Sequence, residues 1–196
     1  MEKILRILIT IGIVLSLAAL VTGQAAKPGS SGASDVASIN AYVKQVDRFI
    51  KINETRKRIF GEVGDEEDSW REFKGDAAKS ETPEDLDQFA YVWTRSRKIV
   101  AAGFTFQSGS RDWAHFVTYY FRADGTLAKI HSRLNTFYGN TSAIRDKYYG
   151  ANGKLLRTTA RYLDMDTGKP NKHPNFQEER LPVYLSVRKL PFFKLL

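Results

Sequence analysis

The chain has 196 residues, enough for a single domain of ordinary size that folds on packing alone. Its 42% hydrophobic and 12% aromatic content is that of a globular protein. It contains no cysteine, which excludes disulfides, thiolate metal ligands, a cysteine nucleophile and the acylated cysteine of a lipoprotein; its formal charge of +8 directs attention to anionic partners.

Residues 1–25 carry the three parts of a bacterial-type secretory leader in order. Lys3 and Arg6 are the positive start, 7–21 the apolar run, and small residues around 21–25 the cleavage region. The run is short of the roughly 20 apolar residues that a membrane span requires, so cleavage is expected, giving a secreted or periplasmic protein. Retention of the leader would instead leave the protein membrane-anchored. Residues 26–33, rich in Gly and Ser, read as a flexible linker, and 34–196 as one domain. Outside the cytoplasm a basic protein meets anionic envelope polymers or lipid head groups, and nucleic acid is not the expected partner.

From Ser34 the apolar residues Val36, Ile39, Val43, Val46 and Ile50 recur at steps of three and four, the stripe of an amphipathic helix. Ser34 is the expected N-cap and Gly61 the expected stop, with Arg56, Lys57 and Arg58 at the end that favours cations. Tyr42, Phe49, Ile59 and Phe60 widen the stripe, as in a helix lying on a sheet. The acids at 65–68 read as a solvated loop, since their order matches no calcium-loop signature. Trp70 and Phe73 suggest a short helical turn, and the stretch 81–87 around Pro83 a turn or helix start.

From Phe89 onward the texture is β, with strands expected at 89–95, 98–107, 113–122, 126–137, 144–149, 154–163 and 183–188. Two turns are close copies, Phe121-Arg122-Ala123-Asp124-Gly125-Thr126-Leu127 and Tyr149-Gly150-Ala151-Asn152-Gly153-Lys154-Leu155. Asp-Gly and Asn-Gly between alternating segments are strong hairpin signals, because tight reversals need positive φ. This pattern resembles the β-hairpin repeats of MORN-like proteins. The resemblance covers two copies only and implies local hairpin geometry and a scaffold or partner-binding surface.

A two-residue loop at Asp124-Gly125 sets Val117 opposite Ser132 and His115 opposite Leu134. One face then collects Trp113, His115, Val117, Tyr119 and Phe121 with Ala128, Ile130 and Leu134. The other collects Phe116, Thr118, Tyr120 and Arg122 with Lys129, His131 and Arg133. His115 and His131 therefore project oppositely and cannot share a metal. His115 reads as a packed or hydrogen-bonded sheet residue, His131 as a surface residue, and His173 as a loop residue with no partner visible in the sequence. The second hairpin groups Tyr148, Asp146 and Ile144 with Arg157, Thr159 and Arg161, which makes the arginines the expected partners of Asp146.

Tyr120, Arg122, Lys129, Arg133, Arg157 and Arg161 are thus the candidate binding residues, a basic surface interleaved with tyrosine and suited to phosphates, sulfates or acidic sugars. Trp113, His115 and Tyr119 are the candidates for a small-ligand pocket, should helix and sheet enclose one. The stretch 164–168 (DMDTG) starts like a calcium loop, but Gly168 takes the place of a third ligand and Asn175 that of the bidentate Glu, so a turn is expected. No metal site and no cofactor are expected.

The chain also lacks a Gly-x-Ser-x-Gly elbow, a His-Glu-x-x-His pair and a phosphate loop. The C-terminal residues 181–196 read as a strand and an apolar tail that docks on the core. Left exposed, its aromatics would form a patch beside Arg188, Lys189 and Lys194 suited to a partner protein or a membrane. The expectation is an α+β domain, a long N-terminal helix packed on a curved antiparallel sheet of about six or seven strands. Its expected role is a non-catalytic binding or interaction module of the bacterial envelope. A small-ligand carrier or enzyme, and a membrane-tethered structural protein, are the alternatives.

Overall fold

The computed structural model describes residues 30–64, 69–74, 86–172, 174, 176 and 181–196. The leader, residues 26–29, the acids at 65–68, residues 81–85, His173 and Asn175 lie outside the described residues. Among the described residues one α-helix, α1 (Ser30–Ile52), precedes eight strands: β1 (Arg58–Glu62), β2 (Trp70–Phe73), β3 (Gln88–Arg95), β4 (Lys98–Gln107), β5 (Trp113–Phe121), β6 (Leu127–Thr136), β7 (Thr141–Tyr149) and β8 (Leu155–Asp164). The strands form one antiparallel sheet in the order β2-β1-β3-β4-β5-β6-β7-β8, a meander in which only β2 is displaced to an edge. The α+β expectation holds, with eight strands in place of six or seven.

Helix α1 starts at Ser30, four residues before the expected cap, so Ser34 lies inside it and residues 30–33 of the expected linker are helical. It stops at Ile52, well short of Gly61. There the side-chain amide of Asn53 donates at 2.9 Å to the Phe49 carbonyl, which also accepts the Asn53 backbone N–H, so one of the last carbonyls of the helix is capped. Ile59 and Phe60, read as part of the helical stripe, belong to β1, where Phe60 is wholly buried. Gly61 is a mid-strand residue whose missing side chain makes room for Leu86 and Phe73; a Cβ there would stand 2.3 Å and 2.7 Å from them. Trp70 and Phe73 lie on β2, the partner of β1, rather than on a helical turn.

The expected hairpin register is present, with His115 opposite Leu134 and Val117 opposite Ser132, yet the loop that was to set it is different. Gly125 N–H donates to the Arg122 carbonyl and Arg122 N–H to the Thr126 carbonyl, which makes a three-residue loop with Gly125 at φ +83°. A bulge at Tyr120/Phe121 absorbs the extra residue and restores the pairing. The Asn152-Gly153 turn repeats the same geometry, with a bulge at Tyr148/Tyr149. One consequence is a correction: Ala128, at the bulge, sits with Tyr120 on the helix side of the sheet and not with Val117 and Tyr119.

Each face of the sheet has its own cover. On one, Val36, Ile39, Val43 and Val46 of α1 pack on Val100, Ala101, Tyr120, Ala128 and Tyr148. The helix crosses from β8 toward the β3–β4 turn, where Arg95 lies over the Phe49 ring. On the other face, residues 181–196 cover Phe60, Phe104, Val117 and Tyr119. The expected strand at 183–188 does not form. This segment crosses a face, where the sheet's backbone groups are already paired, so it makes a single bridge, Thr126 to Ser186, and then 3-10 turns at Val187–Lys189 and Phe193–Leu195. Phe192 stacks on Phe60 with ring centres 4.4 Å apart, and Tyr184 packs on Phe104 and Tyr119.

Candidate functional site

The residues expected to form one basic surface are distributed over three environments. Tyr120 and Lys129 are buried on the helix side of the sheet. The Tyr120 hydroxyl donates to Asp47 of α1 at 2.7 Å, and Lys129 Nζ pairs with Asp146 at 2.9 Å. Arg133, Arg157 and Arg161 are exposed on the same side, with Arg133 and Arg161 flanking Ile144 in register. Arg122 stands at the β5–β6 turn and donates to the carbonyls of Leu127 and Tyr149.

The expected pairing of Asp146 with the β8 arginines is replaced by one with β6: its Oδ1 meets both Lys129 Nζ and His131 Nδ1, the latter at 2.8 Å. Burial would raise the Asp146 carboxyl, but the hydrogen bonds from His131 and Lys129 outweigh it and hold the group at about 2.

The candidates for a pocket are packed. Tyr119 is wholly buried, its hydroxyl donating to the Pro182 carbonyl at 2.7 Å. His115 is 2% exposed on the same face, opposite Leu134, and its Nε2 has no hydrogen-bond partner among the described residues. Burial, aided by the nearby Arg145 charge, lowers His115 to about 4, so it is neutral at physiological pH. Trp113 is half-buried at the start of β5. The Asp164 stretch is a turn in which that carboxylate accepts from the backbone and hydroxyl of Thr167. Among the described residues no three His, Asp or Glu side chains converge as a metal site.

What the topology does bring together is a groove of about 660 Å³ at the hairpin end of the sheet, within the size range of ligand sites. Its walls are the β3–β4 turn, the β5–β6 turn, Arg58 of β1 and the C-terminal cover. Five cationic side chains line it, Arg58, Arg97, Lys98, Arg122 and Arg188, against one side-chain carboxylate, Asp124. Asp124 is committed to its own turn, accepting from the Thr126 N–H at 2.9 Å and hydroxyl at 2.7 Å, which lowers its pKa.

Two of the five cations are fixed in place. Arg58 makes a paired contact with Glu72 at 2.7 and 2.8 Å and donates to the Leu195 carbonyl, while Arg122 is held by its two carbonyls. Arg97, Lys98 and Arg188 make no ion pair with any described residue. The turn presenting Arg97 is unusual: Ser96 and Arg97 both adopt positive φ, 49° and 62°, a conformation that side chains disfavour and that locates strain at the groove wall.

Only Arg122 of this set was among the candidates from the sequence. Arg58 falls at the expected helix end, Arg97 lies in a turn without Gly or Asn that Lys98 follows as the first residue of β4, and Arg188 stands beside the terminal aromatics. No family model, curated protein or solved structure matches the chain.

Proposed function

We propose that this chain is an exported, non-catalytic module that binds anionic ligands through the hairpin-end groove. The observation that carries the reading is the imbalance of charge in one concave site, where Arg97, Lys98 and Arg188 have no ion-pair partner among the described residues and the one side-chain carboxylate is already satisfied within its own turn. Guanidinium and ammonium groups converging on a groove partly shielded from water focus a positive potential and match phosphate or sulfate oxygens. The leader supports export, and in that setting the available polyanions are envelope polymers and lipid head groups. Among the described residues no helix is long and apolar enough to cross a membrane.

Heparin titration followed by intrinsic tryptophan fluorescence tests the reading. Affinity should fall by at least about tenfold between low and high salt, as expected for released counterions and screened charges. The triple variant Arg97→Ser, Lys98→Ser, Arg188→Ser should lose about tenfold in affinity at low salt, whereas Arg133→Ser with Arg161→Ser should lose much less. Salt-independent binding, or dependence on Arg133 and Arg161 in place of the groove cations, would overturn it.

A further inference from the structure

We infer that the ligand of this groove is the phosphate head group of an anionic membrane lipid, and that the C-terminal cover is the surface by which the protein sits on a bilayer. The inference rests on the anion-binding reading above and adds what the apolar part of the site requires. A sugar polymer or a soluble polyanion would be served by the cations alone, but the groove is also lined by Ile99, Val187, Phe193 and Leu196. Phe193 and Leu196 are 39% and 37% exposed, and the same segment displays Leu195 at 42% and Val183 and Leu185 at 44% each. Large side chains left in water along one short segment, with Phe193 and Leu196 beside cations that have no ion-pair partners among the described residues, match an interface that is apolar inside and anionic at its rim.

The packing makes this display a rigid one. In the sequence Pro191-Phe192-Phe193, Phe192 turns inward and is 1% exposed, stacked on Phe60, while Phe193 turns outward on the following 3-10 turn. Leu190 is likewise buried. The buried neighbours therefore fix the outward side chains in place, so docking does not have to order a free tail. Arg188, together with Arg97 and Lys98 from the facing turn, brackets the apolar residues. In that position long cationic side chains can reach phosphates while their stems lie along the acyl boundary.

Vesicle sedimentation with the full chain decides the matter, using phosphatidylcholine vesicles with and without phosphatidylglycerol. Every variant carries the same residues 1–25, so the contribution of that segment, Lys3 and Arg6 included, cancels when the ratio between the two vesicle types is compared between the unaltered chain and the variants. Each basic residue near an anionic surface multiplies partitioning by about fivefold, so the ratio should exceed tenfold and should collapse in the Arg97→Ser, Lys98→Ser, Arg188→Ser variant. Val183→Ser with Leu195→Ser, exposed on the same cover but outside the groove lining, should lower binding to the anionic vesicles by about tenfold and leave heparin affinity within about twofold. Circular dichroism verifies that each variant is folded.

Groove-dependent heparin binding without preference for anionic vesicles would overturn the lipid assignment and leave the anion-binding groove standing. Binding of sn-glycerol 1-phosphate in solution as tightly as the vesicle surface would overturn it in favour of a soluble phosphoester. If neither heparin nor vesicle binding depends on the three cations, both readings fail.

Discussion

The two faces of the sheet are covered by different means, one by a helix and the other by a segment with almost no regular structure. The helix satisfies its own backbone, so an apolar stripe suffices to hold it, and polar links such as Asp47 to Tyr120 gather at its margin. The C-terminal segment has no such internal economy. Its backbone is tied point by point: Leu127 N–H donates to the Leu185 carbonyl, Val187 N–H to Gly125 and Arg58 to Leu195. Its adhesion is concentrated in two aromatic side chains, Phe192 and Tyr184, set into a ring of other aromatics. The lesson is that a regular cover distributes its stability along a stripe, whereas an irregular one localises it.

The largest predicted effect breaks this comparison at its localised end. Phe192→Ala should destabilise the protein by about 3–5 kcal/mol, because a fully buried ring is lost and its site on Phe60 and Phe104 cannot collapse. Val43→Ala on the helix stripe removes two methyl groups and should cost about 2 kcal/mol. Phe193→Ala, one residue from the anchor but pointing outward, should change stability by less than about 0.5 kcal/mol. Urea denaturation midpoints measure all three. Equal losses for Phe192 and Val43 would show that the two covers carry stability in the same way.

The contrast also explains which parts of the molecule were legible in the sequence. The α1 stripe was legible because a helix writes its period into Val36, Ile39, Val43 and Val46, and the strands β3 to β8 because alternation marks them and Gly-containing turns separate all but β3 and β4. The β5–β6 register was legible through two departures that cancel, a loop one residue longer than expected and a bulge that takes the residue back.

Strands β1 and β2 were not legible. They are short, and Gly61 within β1 imitates a helix stop while serving as space for Leu86 and Phe73. The C-terminal cover was legible as a docking segment but not in its path, since a chain crossing a face leaves no ladder pattern. The groove was the least legible feature. Its cations at 58, 97, 98, 122 and 188 come from four separate parts of the chain and meet only through strand order, whereas the tyrosine-interleaved set at 120, 129, 133, 157 and 161 follows one face that α1 partly covers.

The second prediction sharpens the comparison on the C-terminal side through pH. His115 is buried there with its folded-state pKa lowered to about 4, so between its ordinary 6.5 and 4 the unfolded chain takes up a proton that the folded chain refuses. Stability therefore falls as pH falls through this window, by on the order of 3 kcal/mol at its lower end. Asp146, with a lowered pKa, contributes its own loss only below about 3.8, so the two effects separate. His115→Leu should flatten the dependence between pH 6.5 and 4 and, by removing the unpartnered Nε2, should not destabilise the protein at pH 7. Urea midpoints at pH 7, 6 and 5 measure it, and an unchanged slope in the variant would refute the assignment.

A modest effect belongs to the polar margin of the helix face. Tyr120 is buried while Asp47, which accepts its hydroxyl hydrogen, lies on the exposed side of α1, so removal of the acceptor lets water reach the hydroxyl and limits the loss. Asp47→Ala should cost about 1–2 kcal/mol, and Asp47→Asn, which keeps an acceptor oxygen in place, about half of that. Amide exchange distinguishes where the loss falls. If α1 is held by its distributed stripe, Asp47→Ala should speed exchange at Val46 and Phe49 only to the extent of the global loss, leaving no local opening. Selective fraying of the last helical turn would instead show that this one polar link, and not the apolar stripe, fastens the helix beside Trp93 and Arg95.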